Sequence, residues 1–228
     1  MEHAQTCASV IVWLMKILIL LCQLLLASIQ TRGADPWTIA PDGKSGSITE
    51  KTTEADLRAM YGEPNVRDDK IDLGEGAFES GTVLFPEDPM KRIELLWTDA
   101  EGKRFPKSVF VGGIANGAFI DKSVWHTTFG ITLGTTLFDL ERINRKPFRL
   151  AGFGWDYSGT VLSWDGGALE AIFGSGGSKK VFVRLTNAEP APPEYRAVLG
   201  DRNFSSGHPA MQKINPHVYQ MIFAFRAR

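Results

Sequence analysis

The residues best suited to contact a ligand lie in one short cluster, residues 152–159, with the sequence GFGWDYSG. Here Trp155, Asp156 and Tyr157 follow one another. Aromatic rings can stack on a sugar ring or a peptide plane, and a carboxylate accepts hydrogen bonds from hydroxyl or amide groups. The cluster is compatible with a sugar- or peptide-binding platform. The preferred interpretation is a tight turn whose aromatic rings pack over a helix.

Three further tryptophans and one histidine are candidates for the same surface. Trp97 and Trp164 fall in or beside predicted strands of the two halves of the chain, and Trp125 precedes His126 in the segment that joins them. Tryptophans of a small sheet usually belong to its core, but two or three of them on a solvent-facing side form a binding patch. The predicted strands are too short for alternation of polar and apolar residues to decide between the two.

The sequence lacks the common catalytic and metal-binding motifs. The histidines that follow residue 34, which are His126, His208 and His217, have no second histidine or carboxylate at helical spacing for zinc. No G-x-S-x-G, P-loop or S-x-x-K pattern occurs, and the acidic residues form no pair expected to share one face. We therefore expect no metal, no cofactor and no catalytic residue.

Composition sets the size of the core and excludes one class of partner. The chain has 228 residues, 43% of them hydrophobic, and a net charge of −1. This is enough apolar material for one large domain or two small ones. A chain with almost no net charge has no electrostatic footprint for nucleic acid.

Residues 1–34 have the pattern of a leader. Residues 10–28 are apolar apart from Lys16 and Gln23, and a start at Met15 gives an ordinary secretory signal with cleavage after Ala27 or Gly33. The alternative is an uncleaved anchor, which would be the only membrane contact. Both cysteines, at positions 7 and 22, lie in this leader, so no disulfide is expected. The predicted location is periplasmic or secreted.

The leader is followed by a segment that occurs twice. Residues 48–64 read ITEKTTEADLRAMYGEP and residues 131–147 read ITLGTTLFDLERINRKP, with Ile, Thr, Thr, Thr, Asp, Leu and Pro in the same positions. This pattern predicts a tandem duplication, with a first unit over residues 35–130 and a second over 131–228.

Each copy of the segment predicts a short capped helix. Thr53 and Thr136 are each followed three residues later by an aspartate, the spacing of a capping box. Pro64 and Pro147 then prevent continuation of the helix. A helix of about two turns is too short to be stable alone, so each must pack on other elements.

Short runs of β-branched and aromatic residues predict the strands of each unit. The first unit has such runs at residues 79–86, 90–97 and 107–111, with a joining strand at 123–131. The second has counterparts at 158–162, 168–173 and 180–183, with a closing strand at 217–225. The predicted fold class is α+β, with two tandem repeats, each a short capped helix packed on a small antiparallel β-sheet.

The pattern T-x-x-D-L…G-x-P resembles the repeat unit of SmpA/OmlA-type envelope lipoproteins. It is also similar to the β-lactamase inhibitory protein family, in which two such units lie in tandem. The resemblance covers residues 46–185 and implies a concave sheet surface that binds proteins without catalysis. The chain departs from these families in having Arg145 at the second glycine position, no lipobox and no paired cysteines. The residues that carry the resemblance are Thr53, Asp56, Leu57, Gly62, Pro64, Thr136, Asp139, Leu140 and Pro147.

Together these features predict an exported, non-enzymatic binding or scaffold protein of the cell envelope. Its partner would be a protein or an envelope component, recognised through a sheet surface. The alternative hypothesis is a secreted hydrolase or carbohydrate-binding protein that uses Trp155, Asp156 and Tyr157, joined by His126.

Overall fold

The structure, a computed structural model, describes residues 35–74, 76–115, 118–174, 180–187 and 190–225. The chain divides after Asp35, and residues 36–228 form one compact unit. The predicted leader lies outside the described residues, with both cysteines. Among the helices that are described, none has the length and apolar character needed to cross a membrane.

An antiparallel sheet of seven strands dominates the described part of the chain. The strands along it follow the order β10-β12-β5-β4-β3-β2, and β6 pairs with β5 beside this path. Their bounds are β2 Val66–Gly74, β3 Ala77–Leu84, β4 Ile93–Asp99, β5 Arg104–Ala115, β6 Ala118–Ile120, β10 Val181–Thr186 and β12 His217–Ala224.

Smaller elements cover one face of this main sheet. Strands β8 (Arg149–Ala151), β9 (Val161–Ser163) and β11 (Asn203–Ser205) form a separate antiparallel sheet, and β1 (Thr38–Ile39) pairs in parallel with β7 (His126–Thr127). The helices are α1 Glu54–Tyr61, α2 Leu137–Asn144, α3 Glu170–Phe173 and α4 Pro209–Ile214, with 3-10 turns at Glu63–Asn65 and Pro193–Val198. The α+β class with mostly antiparallel sheets is confirmed.

Both predicted capped helices are present. At the start of α1, the Thr53 hydroxyl accepts from the backbone N–H of Asp56 (3.1 Å), and the Asp56 carboxylate accepts from that of Thr53 (2.8 Å). At the start of α2, the Thr136 hydroxyl accepts from the backbone N–H of Asp139 (3.2 Å). The threonine–aspartate spacing therefore predicts the threonine cap of both helices, while the reciprocal bond from the aspartate is present at α1.

After their capped helices, the two halves of the chain differ. Residues 168–173 were expected to form a strand, but α3 begins at Glu170. The Glu170 carboxylate accepts the backbone N–H of Trp164 (2.9 Å), and the Asn144 carbonyl accepts that of Ala168 (2.8 Å). These contacts fix a turn at this point of the chain. Within it the local sequence follows its helical propensity and does not form the expected strand. The tandem repeat is therefore not confirmed.

Two other strand predictions need correction. The joining strand expected at 123–131 is reduced to the two residues of β7. The edge strand β2 had no counterpart in the predictions, because its charged residues hide the strand pattern. Charges on an edge strand discourage pairing with other chains. They include Arg67, Asp68, Asp69, Lys70 and Asp72.

Strand β12, predicted to close the second unit, lies in the middle of the main sheet. Its residue Met221 is paired with Val183 of β10 on one side and with Val111 of β5 on the other. All three side chains are fully buried. The strand therefore joins the two halves of the sequence into one hydrogen-bonded sheet over a shared core.

The buried Glu54 carboxylate at the start of α1 attaches this helix to the sheet. It accepts hydrogen bonds from the Thr82 hydroxyl (2.7 Å) and from Nε and Nη2 of Arg58 (3.0 and 2.8 Å), and the Lys103 ammonium lies 3.0 Å away. Trp97 Nε1 donates to the same Thr82 hydroxyl oxygen (2.9 Å). Because Thr82 is in β3, Trp97 in β4 and Lys103 directly before β5, this network connects the helix to three strands.

The opposite face of the main sheet has a small core of its own, made by Ile71, Val83, Leu96 and Phe110. Ile71 of β2 reaches this core where it passes close to Gly81 of the neighbouring strand β3. A Cβ atom at Gly81 would lie 2.7 Å from Cγ1 of Ile71 and would also meet the Leu95 carbonyl oxygen. The glycine therefore permits the close approach of the Ile71 side chain and the Leu95 carbonyl at this position.

We predict that Glu54→Gln lowers the free energy of unfolding at pH 7 by about 2 kcal/mol, because Arg58 and Lys103 each lose the most buried of their carboxylate partners. Burial alone would raise the pKa of Glu54, but hydrogen bonds from Thr82, Lys103 and Arg58 outweigh it and lower the pKa to about 2. A lowered folded-state pKa stabilises the fold above the unfolded value, and this stabilisation is lost as the pH falls to the folded value.

Urea unfolding as a function of pH measures this effect. Wild type should lose stability between about pH 4.5 and pH 2, and the variant should show a smaller loss. The matched control is Glu50→Gln, which changes a glutamate whose contact with Lys44 spans 3.9 Å at the surface. Equal pH dependence of Glu54→Gln and wild type would contradict the assignment.

Candidate functional site

A groove of about 530 Å³ lies on the open face of the main sheet, the face opposite the helices. The tip of the β2–β3 hairpin forms one wall, with Asp72 and Leu73. The β5–β6 hairpin forms the second wall, and the third comes from β10 and the loop that carries Trp155. A cleft of this size accommodates several side chains of a ligand.

An ion pair between Arg92 and Glu94 lies at the bottom of the groove. Nη2 of Arg92 donates to Oε1 of Glu94 over 2.7 Å, and the two side chains are only 12% and 16% exposed. Arg92 lies directly before β4 and Glu94 within it, and residues two apart on an extended segment face the same side. Glu94 is paired with Phe110 of β5, and Nε of Arg92 is buried without a partner in the described residues.

The Glu94 carboxyl is electrostatically unusual among the groove residues. Burial raises its pKa, and the charges of Asp69 and Asp72 act in the same direction, while the hydrogen bond and charge of Arg92 oppose them. The net result is a pKa above the ordinary value for glutamate. Such a carboxyl retains its proton at a pH where surface glutamates are ionised.

Another cation of the groove is Arg184 of β10, which is held by neutral groups. Its Nη2 donates to the backbone carbonyl of Asp156 (2.7 Å) and its Nη1 to Oε1 of Gln220 (3.3 Å). Its Cζ lies 5.6 Å from the centre of the Tyr219 ring, a cation–π distance. These contacts fix the direction of the guanidinium and leave its charge uncompensated.

Apolar side chains project from the rim of the groove. Leu73, Ile114 and Phe119 are 44%, 58% and 56% exposed. Phe119 is paired with Ile114 across the β5–β6 hairpin and contacts the Tyr219 ring edge to face at 5.5 Å. Exposed apolar residues around a polar floor are typical of a surface that binds another molecule.

The predicted Trp155, Asp156 and Tyr157 cluster lies at the edge of this groove. Trp155 lines it, donates from Nε1 to the Gly152 carbonyl (2.9 Å), and packs edge to face on Tyr157 at 5.3 Å. Tyr157 is 60% exposed, and Asp156 directs its backbone carbonyl to Arg184. The structure therefore brings Trp155 and the Asp156 backbone to the groove, while the tight-turn interpretation also describes the local backbone.

The other predicted binding residues are not on a solvent-facing surface. Trp97, Trp125 and Trp164 are at most 2% exposed and belong to the core between the main sheet and the helices. Of the two alternatives for these tryptophans, core or exposed patch, the structure has the core. His126 lies in β7, outside the groove, with Nδ1 3.1 Å from the Thr127 carbonyl oxygen.

The described residues contain no group of three or more histidine, aspartate or glutamate side chains arranged to hold a metal ion. Comparison with known proteins gives no match to a family model, to a curated protein or to a solved structure. The groove must therefore be interpreted from its own chemistry.

Sequence reasoning missed most of the groove. Arg92 and Glu94 alternate with the apolar Ile93, and Arg184 alternates with Val183 and Leu185, so each pattern shows charges on one side of a strand. This signal was available, but only the strand pairing shows that β4 and β10 present these charges to the same cavity. Distances between strands are not encoded in local spacing.

We predict that Glu94 titrates above the ordinary range of glutamate in a ¹³C NMR titration of side-chain carboxyls. Removing the opposing cation with Arg92→Met should raise the pKa further, because burial then acts without compensation. Asp69→Asn should lower the pKa of Glu94, because it removes a negative charge that raises this pKa. A carboxyl that titrates in the ordinary range and responds to neither substitution would contradict this electrostatic assignment.

Proposed function

We propose that the protein is an exported, non-enzymatic binding protein of the cell envelope. It recognises a protein or an envelope component through the groove on the open face of the main sheet. The observation that carries the proposal is the rim of exposed apolar residues, Leu73, Ile114 and Phe119, around a charged floor. Interfaces concentrate their binding energy in such apolar anchors and use charges for specificity.

Both halves of the sequence supply the groove. Strands β2 to β5 come from residues 35–130, and β10 and β12 come from residues 131–228. The equal lengths of α1 and α2 and the threonine N-cap of each support an origin by tandem duplication, after which the second half changed its strands. Under this proposal the binding surface is a product of both halves.

The pairing of Arg92 with Glu94 supports binding over catalysis. The Glu94 carboxyl has a raised pKa, as general acids do, but its Oε1 already accepts a hydrogen bond from the Arg92 guanidinium at 2.7 Å. Neither partner can leave the pair without exposing an uncompensated charge in a largely buried site. Such a pair fixes the shape and potential of a binding surface.

The proposal is tested by a photoreactive phenylalanine analogue placed at position 119 or, as a matched control, at position 138. Phe138 is 45% exposed on α2, on the helix side of the sheet. In the cells that produce the protein, we expect one crosslinked species from position 119, none from 138, and loss of the species when Ile114→Asp is added. Identical products from both positions would overturn the proposal.

A second candidate function is the secreted hydrolase or carbohydrate-binding protein. It is favoured by Trp155 and Tyr157, whose rings meet at 5.3 Å at the edge of the groove, where they could stack on a sugar. Turnover of glycoside, ester or peptide substrates by the purified protein, abolished by Asp156→Asn with the fold intact, would establish this function in place of the first.

A further inference from the structure

We infer that the partner in the groove presents an acidic side chain, the carboxylate of an aspartate or a glutamate, to Arg184. This inference rests on the proposed function and names the chemistry of the protein that it binds. It is carried by a contrast between Arg184 and the comparable arginines of the chain.

Within the described residues, three arginines are partly buried, and two of them have a carboxylate partner. Arg58 is paired with Glu54 at 2.8 Å, and Arg92 with Glu94 at 2.7 Å. Arg184, in the described part of the chain, forms no ion pair. A partly desolvated cation gains more from a counter-charge than a surface cation does.

Arg184 also has donors to spare. A guanidinium carries five N–H groups, and the contacts with Asp156 and Gln220 use two of them. Its Nε is buried without a partner in the described residues, so the donors left for a ligand are one N–H on Nη1 and one on Nη2. Carboxylates are the ligands whose planar pair of oxygens matches the remaining fork, and the contacts already made hold the fork in place before binding.

The groove residues around Arg184 favour a partner segment that has a single carboxylate and is otherwise apolar or basic. Asp69 and Asp72 stand on the opposite wall of the groove, where they repel a second negative charge. Polyanions such as acidic polysaccharides are therefore disfavoured. Ile114 and Phe119 on the rim offer contacts to apolar residues next to the acidic one. A loop of a protein combines these features.

The test compares two peptides that differ in one atom group, acetyl-Leu-Trp-Asp-Leu-Gly-amide and its Asn analogue, by calorimetry with the purified protein. The wild type should bind the Asp peptide about tenfold more tightly, the size expected for a charge-assisted hydrogen-bonded pair. This preference should disappear in Arg184→Gln and fall in Arg184→Lys. Arg149→Gln, which changes an exposed arginine paired with Asp165, is the control and should keep it.

A second variant protects the test against misfolding of Arg184→Gln. Gln220→Glu keeps the size of a side chain that lies 3.3 Å from Nη1 of Arg184 and adds an internal carboxylate. It should abolish the preference while Arg184 stays in place.

Equal affinity for the two peptides, or no binding of either, overturns the inference. Tighter binding of inorganic phosphate or of an oligoglucuronate also overturns it, because the ligand would then belong to another class. The crosslink from position 119 separates this inference from the proposed function. If Ile114→Asp abolishes the crosslink and Arg184→Gln does not, the proposed groove function stands and the Arg184 inference fails. If neither substitution abolishes the crosslink, the proposed function and the inference both fail.

Discussion

The burial of one carboxylate, that of Glu54, is the constraint on which the groove depends. A buried charge is tolerated only with partners, and Arg58, Lys103 and Thr82 supply them. Arg58 and Lys103 also pair with Asp68 of β2. The edge strand is therefore held to the helix side by Asp68, while its neighbour Asp69 faces the groove. The ion pairs that hold α1 to the sheet therefore also hold β2, which forms one wall of the groove.

A neutral network has the corresponding task in the second half. The buried Asn144 at the end of α2 donates to the carbonyl oxygens of Lys146 and Trp164 (both 2.9 Å) and accepts from the backbone N–H of Leu169 (3.1 Å). The same amide lies where a Cβ at Gly167 would be, so only glycine fits there. Two similar helices thus organise different surroundings, one through ions and the other through an amide.

The sequence predicted what depends on neighbours within a few residues. The caps at Thr53 and Thr136 and the class of the fold were accessible because spacing determines them. Strand β2 was not, since its charged residues hide the strand pattern, and helix α3 was not, since its state depends on a contact with Asn144. For the same reason Trp155 was found as a candidate, while Arg184 and Glu94 emerged only once strands from both halves were neighbours.

The central place of β12 has a consequence for how the chain reaches its native state. This strand follows all the other described strands in the sequence, yet it separates β5 from β10. Its partner β5 precedes it by roughly a hundred residues, and pairings between such distant segments close slowly. The pairing of β12 with β5 and β10 therefore forms late in folding. Until then the edges of β5 and β10 that β12 covers in the native sheet stay unpaired.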